Sequence, residues 1–434
     1  LQPVSDDCLY IIHEVLKDVS VRFFTLLSVG LSLCVIRGAA EVAPEPKLFN
    51  GGDWCHAIPG DIGVVVDQPD AAFLQKLELG GYAHAHSAFV DGEAAGRDFW
   101  YGRGGDWRRA RLTAKAQAFD ALSFLTHVNV VSDEGRDGGG VEWDYHGLFL
   151  AWVDLDLKEV TGVDFLDSWE VSYGKRKLKE LHEEMDTSVN SILTVERSSF
   201  ASQLVPFRGG TGTTGAWMQG SLGRDSVSIG LYTTDASEEL GNWADGTLLV
   251  GAWKHDFSEV LGCEEAVFSL GGGIQDVQQG DDVYAPWEWV LTPWMKVRNE
   301  RWMLSVSAAL GGNEGGSTTT GGTFYGASIT PVYDLIPNRL QAVARYAVMG
   351  SEAPKGVQLA SRYAREAGRG ANESIPSLSA GRGDFHHSIY GGLVWWVCPE
   401  RMSVLSGVEW ERLESRDSKV YSGVTGWFST RVMF

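Results

Sequence analysis

The amino-acid sequence predicts an all-β protein, a transmembrane antiparallel β-barrel of about sixteen strands, and three observations carry that expectation. Polar and apolar residues alternate with a period of two through most of the chain. The alternating segments are about ten residues long, which is the length a tilted strand needs to cross the hydrocarbon. The connections between them alternate between short and long, as in barrels with tight periplasmic turns and extended outer loops.

Composition agrees. The 434 residues include 53 Gly and 17 Trp, and only 21% are charged. Outside the first forty positions no apolar run is long enough to span a bilayer as a helix. Length alone would suggest two or three domains, but closed barrels of this size are single domains. The formal net charge of −21 argues against nucleic acid as a partner.

Residues 1–40 are expected to be a leader. Val21 and Arg22 precede "FFTLLSVGLSLCVI" and "RGAA", which have the n-, h- and c-regions of a secretory signal with cleavage near Ala40. Cys34 follows Leu33, where a lipoprotein signal needs a small residue, so no lipid anchor is expected. Residues 41–76 are then a periplasmic N-terminal segment, and 77–434 form the barrel domain. Three cysteines remain in the exported part, Cys55, Cys263 and Cys398, which permits at most one internal bridge. Their spacing suits no metal site, and neither metal nor cofactor is expected.

The strands can be justified in order. "LELGGYAHA" places Leu77, Leu79, Ala83 and Ala85 on one face, with Glu78, Tyr82, His84 and His86 on the other. "RARLTAKAQAF" sets Arg109, Arg111, Thr113, Lys115 and Gln117 against Ala110, Leu112, Ala114, Ala116 and Ala118. Similar segments run near 121–131, 145–157, 165–174, 211–220, 225–235, 246–257, 264–273 and 286–298. "RWMLSVSAAL" turns Trp302, Leu304, Val306, Ala308 and Leu310 outward, and "RLQAVARYAV" does so with Leu340, Ala342, Ala344, Tyr346 and Val348. Segments near 321–334, 385–398, 401–414 and 419–434 complete the set.

Short connections are expected at 119–121, 298–300, 334–338 and 398–401, and long ones at 90–106, 132–144, 175–210, 274–285 and 350–384. Trp107, Trp287, Trp289, Trp302, Trp395, Trp410 and Trp427 stand at strand ends, where an aromatic girdle belongs. A water-soluble sandwich also alternates, but the isolated charges on the polar faces are unsuited to a dry core. The chain ends on "GVTGWFSTRVMF", with Val424, Phe428, Val432 and Phe434 on one face. That pattern looks like the C-terminal strand signal of outer-membrane proteins and puts Phe434 on the periplasmic rim.

With Phe434 periplasmic, the turn "CPER" that holds Cys398 lies on the same rim, as does the segment "GDWCHAIPG" that holds Cys55. Both thiols then occupy one oxidising compartment. Cys263 lies near a periplasmic turn too and is the rival partner. Cys398 is preferred because strand one closes against strand sixteen, which leaves Cys55 only two strands from the "CPER" turn and within reach of a bridge.

Several stretches resemble the phosphate-selective porin O/P family: "GDWRRARLTAKAQAFDALSF", "YGKRKLKE...SVNSILTVERSSFASQL", "IPNRLQAVARYAV" and "GRGDFHHSIYGGLVWWVCPERMSVLSGVEWERL". They spread over residues 53 to 434. The resemblance implies a homotrimer of sixteen-stranded barrels in the bacterial outer membrane. It also implies a third loop, residues 175–210, folded inward to make the constriction. That loop carries Lys175, Arg176, Lys177, Lys179 and Arg197, and Arg109, Arg111 and Lys115 would face it across the pore. Basic groups in a narrow pore replace the hydration of small anions by charge-assisted hydrogen bonds.

Two positions depart from the family. Tyr82 stands where phosphate-selective members carry Arg, and Asn190 where they carry Lys. Glu180, Glu183, Glu184 and Asp186 accompany the loop's bases and can pair with them. The expectation is a passive diffusion porin for small hydrophilic solutes, weakly preferring anions and lacking a tight phosphate site. The alternatives are a structural or adhesive barrel and a barrel enzyme. No Ser, His and Asp arrangement supports the last, so no enzyme activity is expected.

Other motifs carry less. "GTGTTG" (210–215) is followed by a strand pattern, not the helix a nucleotide loop needs. "HEEMD" lacks a second zinc-binding His, and "RGD" (382–384) sits at the foot of a long loop. His84 and His86 share a face but are more simply solvated lumen histidines.

Overall fold

The computed structural model describes Cys55 and residues 63–131, 143–204, 212–235, 237, 239–277, 285, 287–313, 321–359, 361–368, 375, 378, 380–399, 401–416 and 418–434. The expected signal segment and its cleavage site lie outside these residues, as do most of the N-terminal segment and parts of the long loops.

Sixteen antiparallel strands close into a ring. They are β1 (Leu74–Ala94), β2 (Arg97–Ala118), β3 (Leu122–Asn129), β4 (Leu148–Asp156), β5 (Ser168–Arg176), β6 (Thr213–Leu222), β7 (Asp225–Thr233) and β8 (Gly246–Asp256). The second half is β9 (Glu265–Val277), β10 (Trp287–Asn299), β11 (Trp302–Asn313), β12 (Gly322–Ile336), β13 (Leu340–Ser351), β14 (Phe385–Cys398), β15 (Met402–Ser415) and β16 (Ser418–Met433). Each pairs with the next, and β16 closes on β1 from Tyr421↔Ala94 to Met433↔Tyr82. A closed ring leaves every ladder group satisfied, which the hydrocarbon requires.

The outer surface is apolar. Leu112, Phe124, Ile229, Leu291, Ile389 and Phe428 are among the large hydrophobic side chains it exposes. A belt of this extent belongs against lipid, since water would drive it to aggregate. The alternation read from the sequence is observed, with Tyr82, His84 and His86 inward and Leu79 exposed, but His84 and His86 are buried and not solvated as expected.

Three expectations need correction. The connection at 90–106 is not a long loop: β1 runs to Ala94 and β2 begins at Arg97, joined by Ala95 (φ 53°) and Gly96 (φ 72°). Positive φ at both central residues is the two-residue hairpin turn whose twist matches that of the strands. Lys175 and Arg176 are the last residues of β5, so the third loop starts at residue 177. Trp287 and Trp427 do not join a girdle, being buried inside the barrel at 0% and 6% exposure. Trp427 shares the parity of Thr425, Ser429 and Arg431, and a register shift between Trp287 and Trp289 reverses the alternation at Trp287.

The periplasmic rim is tied down at one place. A short strand, Val64–Asp67, pairs with the lower end of β1 at Lys76–Glu78, below the point where β16 ends on Gly81. Cys55 and Cys398 are joined in a disulfide with Cα atoms 5.7 Å apart. The bond links the segment before β1 to the end of β14 and so spans the closing seam. Cys263, in the turn after β8, lies outside it.

Candidate functional site: the third loop and the lumen wall

The third loop folds into the barrel and is anchored on two flanks of different chemistry. On one flank Leu178, Leu181, Met185, Phe200, Ala201 and Leu204 are buried in one cluster with Trp217, Leu248, Val250, Trp287, Phe324 and Met349 of the wall. Burying each large apolar side chain contributes about 1.5–3 kcal/mol. The wall is cut to fit: a Cβ on Gly326 would lie 2.5 Å from the Phe200 ring, and one on Gly271 would lie 2.4 Å from the Glu180 carbonyl. The Trp287 indole also donates to the Leu204 carbonyl at 2.9 Å.

The other flank is polar. Arg345 donates to Glu184 and Glu409, both at 3.2 Å, and to the Glu196 carbonyl at 3.0 Å. Arg431 donates to the carbonyls of Ile192, Thr194 (2.8 Å) and Val195 (3.2 Å). Within the loop, Arg197 Nε donates to the Glu184 carbonyl at 2.9 Å, and the Ser198 amide donates to the Glu184 carboxylate at 2.8 Å. These bonds hold the 192–198 stretch of the loop across the lumen.

Facing that stretch, β1 and β2 carry a β-bulge. His84 pairs with Arg109 but Ala85 pairs with Trp107, so Arg108 is the extra residue. Arg108 and Arg109 are consecutive and yet both turn inward, with 9% and 8% exposure. Glu196 meets both: its Oε1 lies 2.6 Å from Arg108 Nε and its Oε2 lies 3.4 Å from Arg109 Nη2. His86 Nδ1 is 3.7 Å from the same carboxylate. Burial opposes ionisation of Glu196, but Arg108 and Arg109 outweigh it and hold the carboxyl well below the ordinary range.

Four of the residues singled out from the sequence come together here. Arg109 meets Glu196, Arg197 donates to the Glu184 carbonyl, and Arg111 and Lys177 lie over one Phe149 ring. Arg111 donates to Asn129 at 2.6 Å and to the Tyr82 hydroxyl, and its guanidinium stacks 3.2 Å from the Phe149 ring centre. Lys177 lies 5.7 Å over the same ring.

Others fall elsewhere. Lys175 donates to the Ser237 carbonyl at 2.8 Å in the fourth loop. Arg176 pairs with Glu180 at 2.5 Å and stacks on Trp217, so it serves the loop's apolar flank. Lys115 pairs directly opposite Glu78, toward the periplasmic rim, and is exposed. Lys179 opens a single turn of 3₁₀ helix and is half-buried. Sequence reasoning missed Arg108, whose inward turn depends on the bulge, and Glu196, whose partners are 88 and 87 residues away. Arg431 was legible from parity with Phe428 and Val432 outward.

Below the loop the periplasmic half of the lumen stays hollow. A cavity of about 530 Å³ is lined by Glu183, Glu184, Lys296, Arg298, Gln341 and Trp396, and one of about 260 Å³ by Asp186, Arg224, Lys254, His255 and Lys296. Above the loop, the helix Arg362–Ala367 folds inward as well: it buries Tyr363, and Arg362 pairs with Asp106. Among the described residues no group of three or more His, Cys, Asp or Glu could hold a metal.

No family model matches the chain, and no curated protein matches its sequence. The fold has solved counterparts. The chain is similar to OprB of Pseudomonas putida (TM-score 0.51, 9% identity, 82% of this chain and 94% of that one). It is similar to the anion-selective porin from Comamonas acidovorans (TM-score 0.50, 11% identity, 82% and 99%) and to OmpF of Salmonella typhi (TM-score 0.50, 12% identity, 83% and 98%). At these identities the likeness is one of fold. A closed sixteen-stranded barrel with an apolar outer belt is the architecture of the bacterial outer membrane, and that is where this chain resides.

Proposed function

We propose that the chain is an outer-membrane porin for passive diffusion of small hydrophilic solutes, with a weak preference for anions, and that it works as a homotrimer. The observation that carries this reading is the basic cluster between the third loop and the β1–β4 wall: Arg111 and Lys177 share the Phe149 ring, and Arg108 and Arg109 converge on Glu196, the residue before Arg197. Like charges this close repel one another, so an anion entering the lumen relieves the repulsion and exchanges water for charge-assisted hydrogen bonds. Electrostatics in so narrow a low-dielectric space act at greater strength than in bulk water.

The preference is weak because neutral partners occupy the departing positions. Tyr82 binds Arg111 through its hydroxyl, and Asn190 Oδ1 lies 2.7 Å from His84 Nε2. Neither supplies the further cation that a tight phosphate site requires. The resemblance to the phosphate-selective porins supports the porin reading, and the solved anion-selective porin of the same fold agrees with it.

Reversal potentials across a potassium chloride gradient test the selectivity. The expected sign is that of an anion-preferring channel, with anion permeability a few-fold above cation permeability and no phosphate block of the chloride current at micromolar concentration. Cation selectivity would overturn the proposal. A barrel that inserts into bilayers without conducting would favour the structural or adhesive alternative.

A further inference from the structure

We infer that Glu196 is a tethered occupant of an anion seat formed by Arg108 and Arg109, and that the seat takes a small carboxylate. The inference rests on the porin reading and deepens it.

The bulge at Arg108 builds the seat. In an unbroken strand Arg108 would face lipid, whereas here two adjacent guanidinium groups converge on one point of the lumen. That point is filled by the protein's own carboxylate, with one oxygen on each arginine. A planar two-oxygen anion therefore satisfies the pair, and a tetrahedral oxyanion would bring further oxygens to a place matched to two.

The Glu196 carboxylate is not needed to hold the loop in place. The backbone carbonyl of Glu196 accepts from Thr194 Oγ1 at 2.7 Å and from Arg345 at 3.0 Å. Arg431 fixes Thr194 and Val195 on one side, and Glu184 fixes Arg197 and Ser198 on the other. The side chain is 18% exposed to the lumen, so it can be displaced while its backbone stays anchored. A carboxylate solute competes with it for the same two guanidinium groups, and this built-in competitor keeps the seat weak in the native protein.

Single-channel recording of Glu196→Gln tests this, with chloride carrying the current and acetate or inorganic phosphate added as probes. The variant is expected to show a raised anion-to-cation permeability ratio. Acetate should block chloride current at a concentration about tenfold lower than in the wild type, the factor given by one charge-assisted hydrogen bond. Glu196→Asp should behave as wild type, and adding Arg108→Gln and Arg109→Gln to Glu196→Gln should abolish the block. Unchanged acetate block in Glu196→Gln would overturn the inference, and stronger block by phosphate than by acetate would overturn the carboxylate assignment. A wild-type protein that does not conduct would instead overturn the porin reading, a result separable from both.

Discussion

The two flanks of the third loop do different jobs. The flank packed around Trp287 and Phe324 is dry, with Phe200, Leu204 and Leu181 fully buried there. The flank against β1–β4 is charged, with guanidinium groups spaced by aromatic rings and one carboxylate. Burial is non-directional and strong, so it fixes where the loop lies. Charges near water are weakly stabilising but long in reach, so they decide what passes beside it. A loop anchored by its apolar flank, and at residues 192–196 by Arg345 and Arg431, leaves the side facing Arg108 and Arg109 available to solutes.

The largest expected effect breaks the apolar flank. Phe200→Ala should destabilise the folded loop by about 3–5 kcal/mol, since it empties a filled site under Gly326 that the wall cannot collapse to close. The measurements are protease cleavage within 177–204 and the temperature at which the barrel loses its heat-resistant migration in detergent gels. Wild-type protection and an unaltered temperature would show that the apolar flank is not the anchor.

The disulfide provides a comparison away from both flanks. Cys398→Ser should lower the denaturation temperature by an amount corresponding to about 2–5 kcal/mol, the usual contribution of a native bridge. The reversal potential should not move, because Cys398 lies on the periplasmic rim and not at the constriction. Peptide mapping under non-reducing conditions should recover Cys55 linked to Cys398. Recovery of both as free thiols from an oxidising envelope would remove the bridge from the argument.

Much of the fold was legible because strand alternation is a local signal of period two. The segments read near 225–235, 246–257 and 385–398 agree with β7, β8 and β14 to within a residue or two. The bulges were not legible. An extra residue in a strand carries no composition of its own, so Arg108 reads as facing lipid and Trp287 as a girdle residue until the register is known. Trp427 is different, since its parity with Arg431 was readable and position at a strand end was the weaker guide. At the site, "TVERS" and "RARLTAKAQAF" could be singled out separately as basic stretches. The pairing of Glu196 with Arg108 and Arg109 depends on how the loop crosses the lumen, and no local pattern encodes that.

The smallest expected effect sharpens the charged side of the comparison, at the outer mouth. The helix Arg362–Ala367 of the seventh loop is held to β2 through Arg362 and Asp106, with the Tyr363 hydroxyl 3.4 Å from the same carboxylate and the Tyr101 hydroxyl donating to Glu366 at 3.1 Å. Arg362→Gln removes one partner of a largely buried acid, which by itself would be strongly destabilising. Asp106 keeps Tyr363, however, and Arg103 at 3.8 Å, so the loss should be limited to about 1–2 kcal/mol. The loop should then open more often, seen as faster proteolysis within 352–384 and a conductance raised by less than about twofold, with the denaturation temperature of the barrel nearly unchanged. A collapse of barrel stability comparable to that of Phe200→Ala would show that ion pairs, and not burial, carry the inward-folded loops, and the distinction between the two flanks would fail.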